Sequence, residues 1–475
     1  MKKRTIEVWK MLVCVFLFGA VFTSCEKDEA TILNDEEVST DLKEPPFENY
    51  LVISDEDAGS KKAAESYLKS VKGISIVRSM PEIGVTVVST NDLNLLQKAA
   101  SNNLTIVPDY EIQWIPSQKN ELTTLDVSTE ALSPSPGDTE GAYIRLWGMD
   151  AIDAPEAWNA GFTGKGASVF VLDSGIDRDN VEFSQTLNKD LSASFVPGET
   201  YYTRPGRFRN HGTHVAGTIN ANKNNFGVIG VAYEAELVAV KVLSEFTGSG
   251  AFSSINAGIL YAGNNNADVV NMSLGASLSK NGKLVDADGN AYRINPKFIQ
   301  EIINAQQRAI DYAFKNGVTI IASAGNDSMN YDGNGAAIKL PGSLNNVITI
   351  SATAPEGWHP FFNPDTNFDI PASYTTYGKS LIDLAAPGGD FDVSGLDEIF
   401  SVASGEDAFN YSSGTSMASP HAAGVAALIV AKNGGQMNPH EVEKQLIKSA
   451  DQVDGNGQSL FFGKGRVNAF RAVTE

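Results

Sequence analysis

Three short segments constrain this chain more than anything else in it: VFVLDSGID around Asp173, NHGTHVAGTI around His211 and GTSMASPHAAG around Ser416. Each joins an element-forming pattern to one chemically active side chain. The first is an apolar run that ends on a carboxylate. An unpaired charge at the edge of a buried sheet is costly, so Asp173 needs a polar partner there. The second opens a helix on an imidazole. The third sets a hydroxyl just ahead of a helix, Ala418 to Val430, that is apolar on all sides and therefore buried. Nucleophilic hydrolysis needs a hydroxyl to attack, an imidazole to take its proton and a carboxylate to hold the imidazole in the right tautomer. The segments supply one each, in the order Asp, His, Ser.

Around them the chain alternates strand and helix patterns. Ser168 to Leu172, Glu236 to Leu243, Val269 to Met272 and Val318 to Ser323 read as strands that are apolar on both faces, as buried parallel strands are. The expected class is α/β with a doubly wound, mostly parallel sheet, which takes its ligands at the carboxyl ends of the strands. Asp173 stands at one such end. The 475 residues allow two or three packed domains, and a formal charge of −21 argues against nucleic acid as a partner. His211 and His214 share a helix face, but no Glu lies between them and no third ligand is near, which disfavours a metalloprotease helix.

The start of the chain is a targeting segment. Lys2, Lys3 and Arg4 precede an apolar run, Met11 to Phe22, that is too short to span a bilayer and ends at Thr23-Ser24-Cys25. Residues 1–24 are expected to be removed. The chain has two cysteines, Cys14 in that segment and Cys25, so no intramolecular disulfide is expected in the mature protein. A polar tether, 25–44, leads to a module at 45–117 with a β-α-β-β-α-β pattern: strands at Tyr50–Ser54, Ile74–Ser79, Gly84–Ser89 and Leu104–Trp114, helices at Lys61–Val71 and Asp92–Ala100. A Ser-, Thr-, Pro-, Gly- and acid-rich stretch, 118–142, reads as a flexible, cleavable linker before the main domain at 143–475.

From Tyr143 onward the sequence resembles the subtilisin-like serine proteases. WGMDAIDAPEAWNAGFTGKGASVFVLDSGID resembles the family's opening, and FGKGRVNAFRAV its closing strand and helix. The resemblance implies a serine endopeptidase acting on protein or peptide, with Asp173, His211 and Ser416 catalytic, His214 and His421 structural, and Asn326 in TIIASAGND completing an oxyanion hole with the Ser416 N–H. It implies substrate walls at Gly248-Ser249-Gly250, Ser273-Leu274-Gly275 and Ser323-Ala324-Gly325, with Lys339 at the floor of the primary pocket, where it would favour an acidic side chain. Pro420 is expected in the first turn of the Ser416 helix. The loop NKNNFGV has the spacing of the family's calcium loop. Asn222, Asn224, Phe226 and Val228 would be its oxygen donors, with Glu182 replacing the usual Asp. The α+β, ferredoxin-like module resembles the family's inhibitor-type propeptide, Thr23-Ser24-Cys25 resembles a bacterial lipobox with Cys25 as the lipidated residue, and the acidic stretch Cys25-Glu26-Lys27-Asp28-Glu29 resembles the export signals of Bacteroidetes-type surface lipoproteins, implying a lipid-anchored, exported zymogen. Two stretches, SKNGKLVDADGNAYRIN and Gly357 to Ile370, depart from the family pattern and either rim the cleft or decorate it. A dedicated maturation protease for one partner and a catalytically silent peptide-binding module remain as alternatives.

Overall fold

The central sheet runs, in spatial order, Asn367–Pro371, Ile348–Glu356, Thr319–Ser323, Val269–Met272, Ser168–Asp173, Glu236–Lys241 and Ala193–Ser194, with Leu384–Pro387 also paired to Ile348–Glu356. All these pairings are parallel except that of Asn367–Pro371. The computed structural model describes residues 48–475 apart from 56, 101–103, 116–138, 205–209, 288, 290, 357, 359–362, 364, 392–394, 406 and 456. The targeting segment, Cys25, the tether and most of the linker therefore lie outside the described residues. Among the described residues no helix is long and apolar enough to cross a membrane.

The strands form because their residues have somewhere to go on both faces. Along Ser168–Asp173, Val169 and Val171 join the core beneath the helices His211–Asn220 and Thr415–Lys432. Phe170 and Leu172, pointing the other way, join the core beneath Phe252–Asn264 and Pro296–Lys315. Period-2 alternation with apolar side chains at every position thus builds the two helical layers of the expected α/β fold. Asn295 caps the helix Pro296–Lys315 by accepting from the Lys297 N–H at 3.0 Å, and Pro296 follows at its first position.

The amino-terminal module has the expected element order: β1 (Asn49–Ile53), α1 (Ala58–Ser70), β2 (Ser75–Met80), β3 (Val85–Ser89), α2 (Leu93–Ala100) and β4 (Thr105–Pro108). Its antiparallel sheet is ordered β2-β3-β1-β4. One face packs on its own helices through Val52, Leu68, Val88 and Leu96. The other face, with Leu51, Ile53, Val85 and Val107, joins the core under Phe252–Asn264 and Pro296–Lys315. The strand expected over Leu104–Trp114 is two strands. The last bond to β1 runs from Asp109 N to the Asn49 carbonyl at 3.0 Å, and after Tyr110 the chain starts β5 (Glu111–Gln113), which pairs antiparallel with Ser249–Ala251 of the main domain.

Candidate active site

Asp173, Ser273 and the segment Ser323–Asn326 emerge from the carboxyl ends of neighbouring strands, so the residues singled out in the sequence converge on one edge of the sheet. Asp173 is buried, accepts the Ser174 N–H at 2.6 Å, and lies 2.9 Å by either carboxylate oxygen from His211 Nδ1. A carboxylate can only accept, so Nδ1 carries the proton, and in the neutral ring Nε2 is left as the acceptor. Gly212 beside it has no room for a side chain: a Cβ there would stand 2.3 Å from the Gly175 carbonyl.

Ser416 is the second residue of the helix Thr415–Lys432, which packs against His211–Asn220. Its Oγ donates to the Ser273 carbonyl at 3.2 Å in this conformer. Pro420 lies deeper than expected, as the sixth helical residue. It cannot donate to the Ser416 carbonyl one turn back. The Ser273 hydroxyl takes up that carbonyl at 2.8 Å, and Ser273 also contacts Ser419 Oγ at 2.8 Å and accepts from Asn271 Nδ2 at 2.9 Å. The proline thereby frees an acceptor that ties the nucleophile's backbone to the neighbouring strand end.

Asn326 is oriented by Thr415, whose N–H (3.0 Å) and Oγ1 (2.8 Å) both donate to Asn326 Oδ1. A backbone N–H can only donate, which fixes the amide's sense and turns Nδ2 toward Gly414, where a Cβ would lie 3.2 Å from it. Asn326 Nδ2 and the Ser416 N–H thus lie close together, 3.2 Å and 3.6 Å from where a Cβ on Gly414 would stand.

His214 and His421 are buried away from this edge. His214 Nε2 faces the carbonyls of Ile399 (3.1 Å) and Asn410 (3.2 Å), and burial pushes its pKa down to about 3. His421 Nδ1 faces the Met417 carbonyl at 2.8 Å, and burial lowers its pKa to about 4. Neutral and packed, they fit the structural part expected of them.

Two of the three expected walls, Gly248–Gly250 and the one that ends at Gly275, bond to the tail of the amino-terminal module. Glu111, Ile112 and Gln113 pair with Ala251, Gly250 and Ser249, the Gly248 carbonyl accepts from Ile115 N at 3.3 Å, and Gly275 N donates to the Trp114 carbonyl at 3.1 Å. The buried Trp114 indole donates to the Gly250 carbonyl at 2.9 Å and meets Phe252 edge-on, ring centroids 5.2 Å apart. Leu274 is buried and its carbonyl accepts from Ser323 Oγ at 3.3 Å, while Ala324 N donates to the Ile350 carbonyl and Gly325 N to Thr415 Oγ1.

Lys339 reaches between the walls, since a Cβ on Gly325 would be 2.2 Å from its Cε. It is not a free charge. Asp327 Oδ2 pairs with its Nζ at 2.6 Å and Ser277 Oγ stands at 3.2 Å. The sequence reading missed Asp327.

In the candidate calcium loop, Glu182 accepts from Val228 N (3.2 Å) and Asn224 Nδ2 (3.0 Å). Glu140, which the sequence reading also missed, accepts from the N–H groups of Asn224, Asn225 and Phe226 at 2.9–3.3 Å. Burial, with the Glu140 charge nearby, pushes the Glu182 carboxyl up to about 9. Asn224 Oδ1 is buried without a partner. Asn222 is turned instead toward Val181, Ser184 and Thr186. Among the described residues no three His, Cys, Asp or Glu side chains gather at one point. Two buried carboxylates and an orphaned amide oxygen are nevertheless a donor set that suits a hard divalent cation.

An α/β sheet with a carboxylate–imidazole pair and a helix-borne serine at its carboxyl edge defines the class as a serine hydrolase. The particular family follows from comparison. The profile of the subtilase family matches residues 164–465. M-protease of Shouchella clausii (strain KSM-K16) is 34% identical over 88% of this chain and 93% of its own length. Subtilisin Savinase of Lederbergia lenta is 37% identical over 69% of this chain and 98% of its own. Among solved structures, the epidermin leader peptide processing serine protease of Staphylococcus aureus superposes with a TM-score of 0.67 at 20% identity, covering 90% of this chain and 98% of that one. The chain belongs to the subtilase family and is a serine-type endopeptidase.

Proposed function

We propose that Ser416 is the nucleophile of this endopeptidase, His211 its general base and Asp173 the residue that orients the base, with Asn326 Nδ2 and the Ser416 N–H holding the oxyanion. The observation that carries the reading is the Asp173–His211 pair at 2.9 Å, which leaves His211 Nε2 as the acceptor on the sheet edge that carries Ser416. In the first step His211 Nε2 takes the Ser416 Oγ proton as Oγ bonds to the carbonyl carbon. Collapse of the intermediate breaks the C–N bond, and the same imidazole returns the proton to the leaving amine. A fluorophosphonate probe tests this: labelling at Ser416 that disappears in His211→Ala supports it, and labelling elsewhere refutes it. That reaction also separates the enzyme from a silent peptide-binding module.

The chain is further read as a zymogen. The strand pairing of Glu111–Gln113 with Ser249–Ala251 supports a propeptide whose tail lies where a substrate would, which blocks the cleft for as long as it stays bound, after the linker is cut as well as before. Anchoring through a lipid on Cys25 would place the anchor on the propeptide side of the linker cut, so the catalytic domain would stay at the membrane while the propeptide remains bound and would be released when the propeptide is destroyed. Fractionating cells and blotting for the carboxyl terminus checks this: an active, full-length enzyme held wholly at the membrane contradicts it. Calcium at Glu182, Glu140 and Asn224 would neutralise two buried carboxylates and brace the loop after the His211 helix. Chelation is expected to lower the melting temperature of wild type and to leave that of Glu182→Gln unchanged.

A further inference from the structure

The hairpin formed by Lys283–Val285 and Ala291–Arg293 is part of a stretch foreign to the family pattern, and it touches the tail of the amino-terminal module. Ala287 N, at its turn, donates to the Glu111 carbonyl at 3.3 Å. On its other edge the strand Glu111–Gln113 pairs with Ser249–Ala251. An extended chain is therefore bonded along both edges at Glu111, upstream of the point where Gly248 and Gly275 hold Trp114 and Ile115.

The hairpin is a firm support for that donor. Its strands pair Lys283 with Arg293, Leu284 with Tyr292 and Val285 with Ala291. Leu284 is buried in the same core as Ile112 and Trp114. Tyr292 OH donates to Asp286 Oδ2 at 2.7 Å, and Ile294 N closes the base on the Gly282 carbonyl at 2.8 Å. The strand then runs directly into the capped helix Pro296–Lys315. Ala287 thus follows closely on the paired strand Lys283–Val285 and on Asp286, which Tyr292 holds.

We propose that this hairpin is a further wall of the substrate cleft, adding a distal subsite that binds the backbone of an extended polypeptide. The proposal rests on the reading that the tail follows the substrate path. Main-chain donors read no side chain, so the subsite selects for length and an extended conformation rather than for sequence. The substrate class it implies is unfolded protein or a long, flexible segment, with at least five or six residues on the amino side of the cut.

The test uses the full chain after it has processed itself, with peptides that share one scissile bond and grow from three to eight residues on its amino side. In wild type kcat/KM is expected to step up by about fivefold, the yield of one added hydrogen bond, at the fifth or sixth residue. Ala287→Pro removes the donor and is expected to abolish that step while leaving the three-residue peptide unaffected; Ala287→Gly keeps the donor and the step. The wild-type series needs no variant to fold, and a flat series overturns the proposal, as does Ala287→Pro lowering short and long peptides alike. The underlying reading fails separately. A peptide of sequence Asp109–Ile115 that does not compete with cleavage removes the tail as a guide, and the proposal with it, whereas a competing peptide with a flat series overturns the hairpin alone.

Discussion

The catalytic edge and the tail that crosses it are held by different means. At the edge, polar side chains answer one another within the main domain: Asp173 with His211, Asn326 with Thr415, Ser273 with Asn271 and Ser419. The tail is held by backbone bonds at 3.1–3.4 Å, by the apolar side chains of Ile112, Trp114 and Ile115, and by side-chain bonds that mostly end on main-chain carbonyls: the Trp114 indole on Gly250 at 2.9 Å and Gln113 Nε2 on Thr247 at 2.8 Å, with Glu111 accepting from Ser249 Oγ at 2.5 Å. Losing a member of the first set leaves a buried polar group without its partner, which is expensive. Losing the tail exposes backbone groups that water or a substrate strand can satisfy. In the zymogen reading the first arrangement persists through turnover and the second is exchanged for substrate.

If that contrast is right, the largest effects belong to the edge. Ser416→Ala is expected to lower kcat by at least about 10⁴-fold, for which the reference case is itself a subtilisin. In the zymogen reading it also leaves the chain uncut on a gel. Asn326→Ala should cost about 10²- to 10³-fold in kcat with little change in KM, because the donor acts on charge that develops only in the transition state; that magnitude too was set by a subtilisin. An equal rise in KM would mean that Asn326 merely shapes the cleft. Trp114→Ala lies in the exchangeable set. It should leave kcat of the processed enzyme unaltered and bring active enzyme out of the full-length chain sooner, because a buried indole against Phe252 is lost from the plug. Slower appearance of activity would show that Trp114 is needed for folding more than for blocking.

The same contrast sets what was legible in the sequence. Asp173, His211 and Ser416 each sit where an apolar run meets a turn or a helix start, so local pattern and chemistry point to the same residue. The parallel strands were legible because both faces are apolar. Contacts between distant loops were not. The Lys339–Asp327 pair turns an expected free charge into a matched one, and nothing in the local pattern at Lys339 signals a partner twelve residues earlier. A pocket floor already neutralised by Asp327 attracts an acidic side chain less than a bare lysine would. Glu140 was hidden in linker-like composition, though it is buried against the Asn224–Phe226 amides. The break between β4 and β5 was also out of reach, since strand periodicity does not say which sheet a strand joins.

The smallest expected effect concerns Asp109, where the module meets the main domain. Its carboxyl is half-buried and accepts the Ser253 N–H at 3.1 Å at the start of the helix Phe252–Asn264. Burial pushes its pKa up to about 6; the Ser253 bond and the nearby Arg78 work against that shift, and Glu111 adds to it. Arg78 cannot fully offset the charge, because its guanidinium is spent on the carbonyls of Ser253 (3.3 Å) and Phe195 (3.0 Å) and lies over the Phe195 ring. The folded value lies above the ordinary carboxylate value, so the docked state favours the proton. Stability from this contact is full below about pH 4 and is lost as pH rises through about 6. The module should therefore let go faster at pH 8 than at pH 5. Asp109→Asn keeps an acceptor for Ser253 without the charge, and should show no such dependence. Preincubating each full-length chain across pH 5 to 8 and assaying all samples at one common pH isolates release from turnover. Wild type that releases fastest at pH 5, or an Asn variant with the same slope, would show that the tail is not held through this carboxyl.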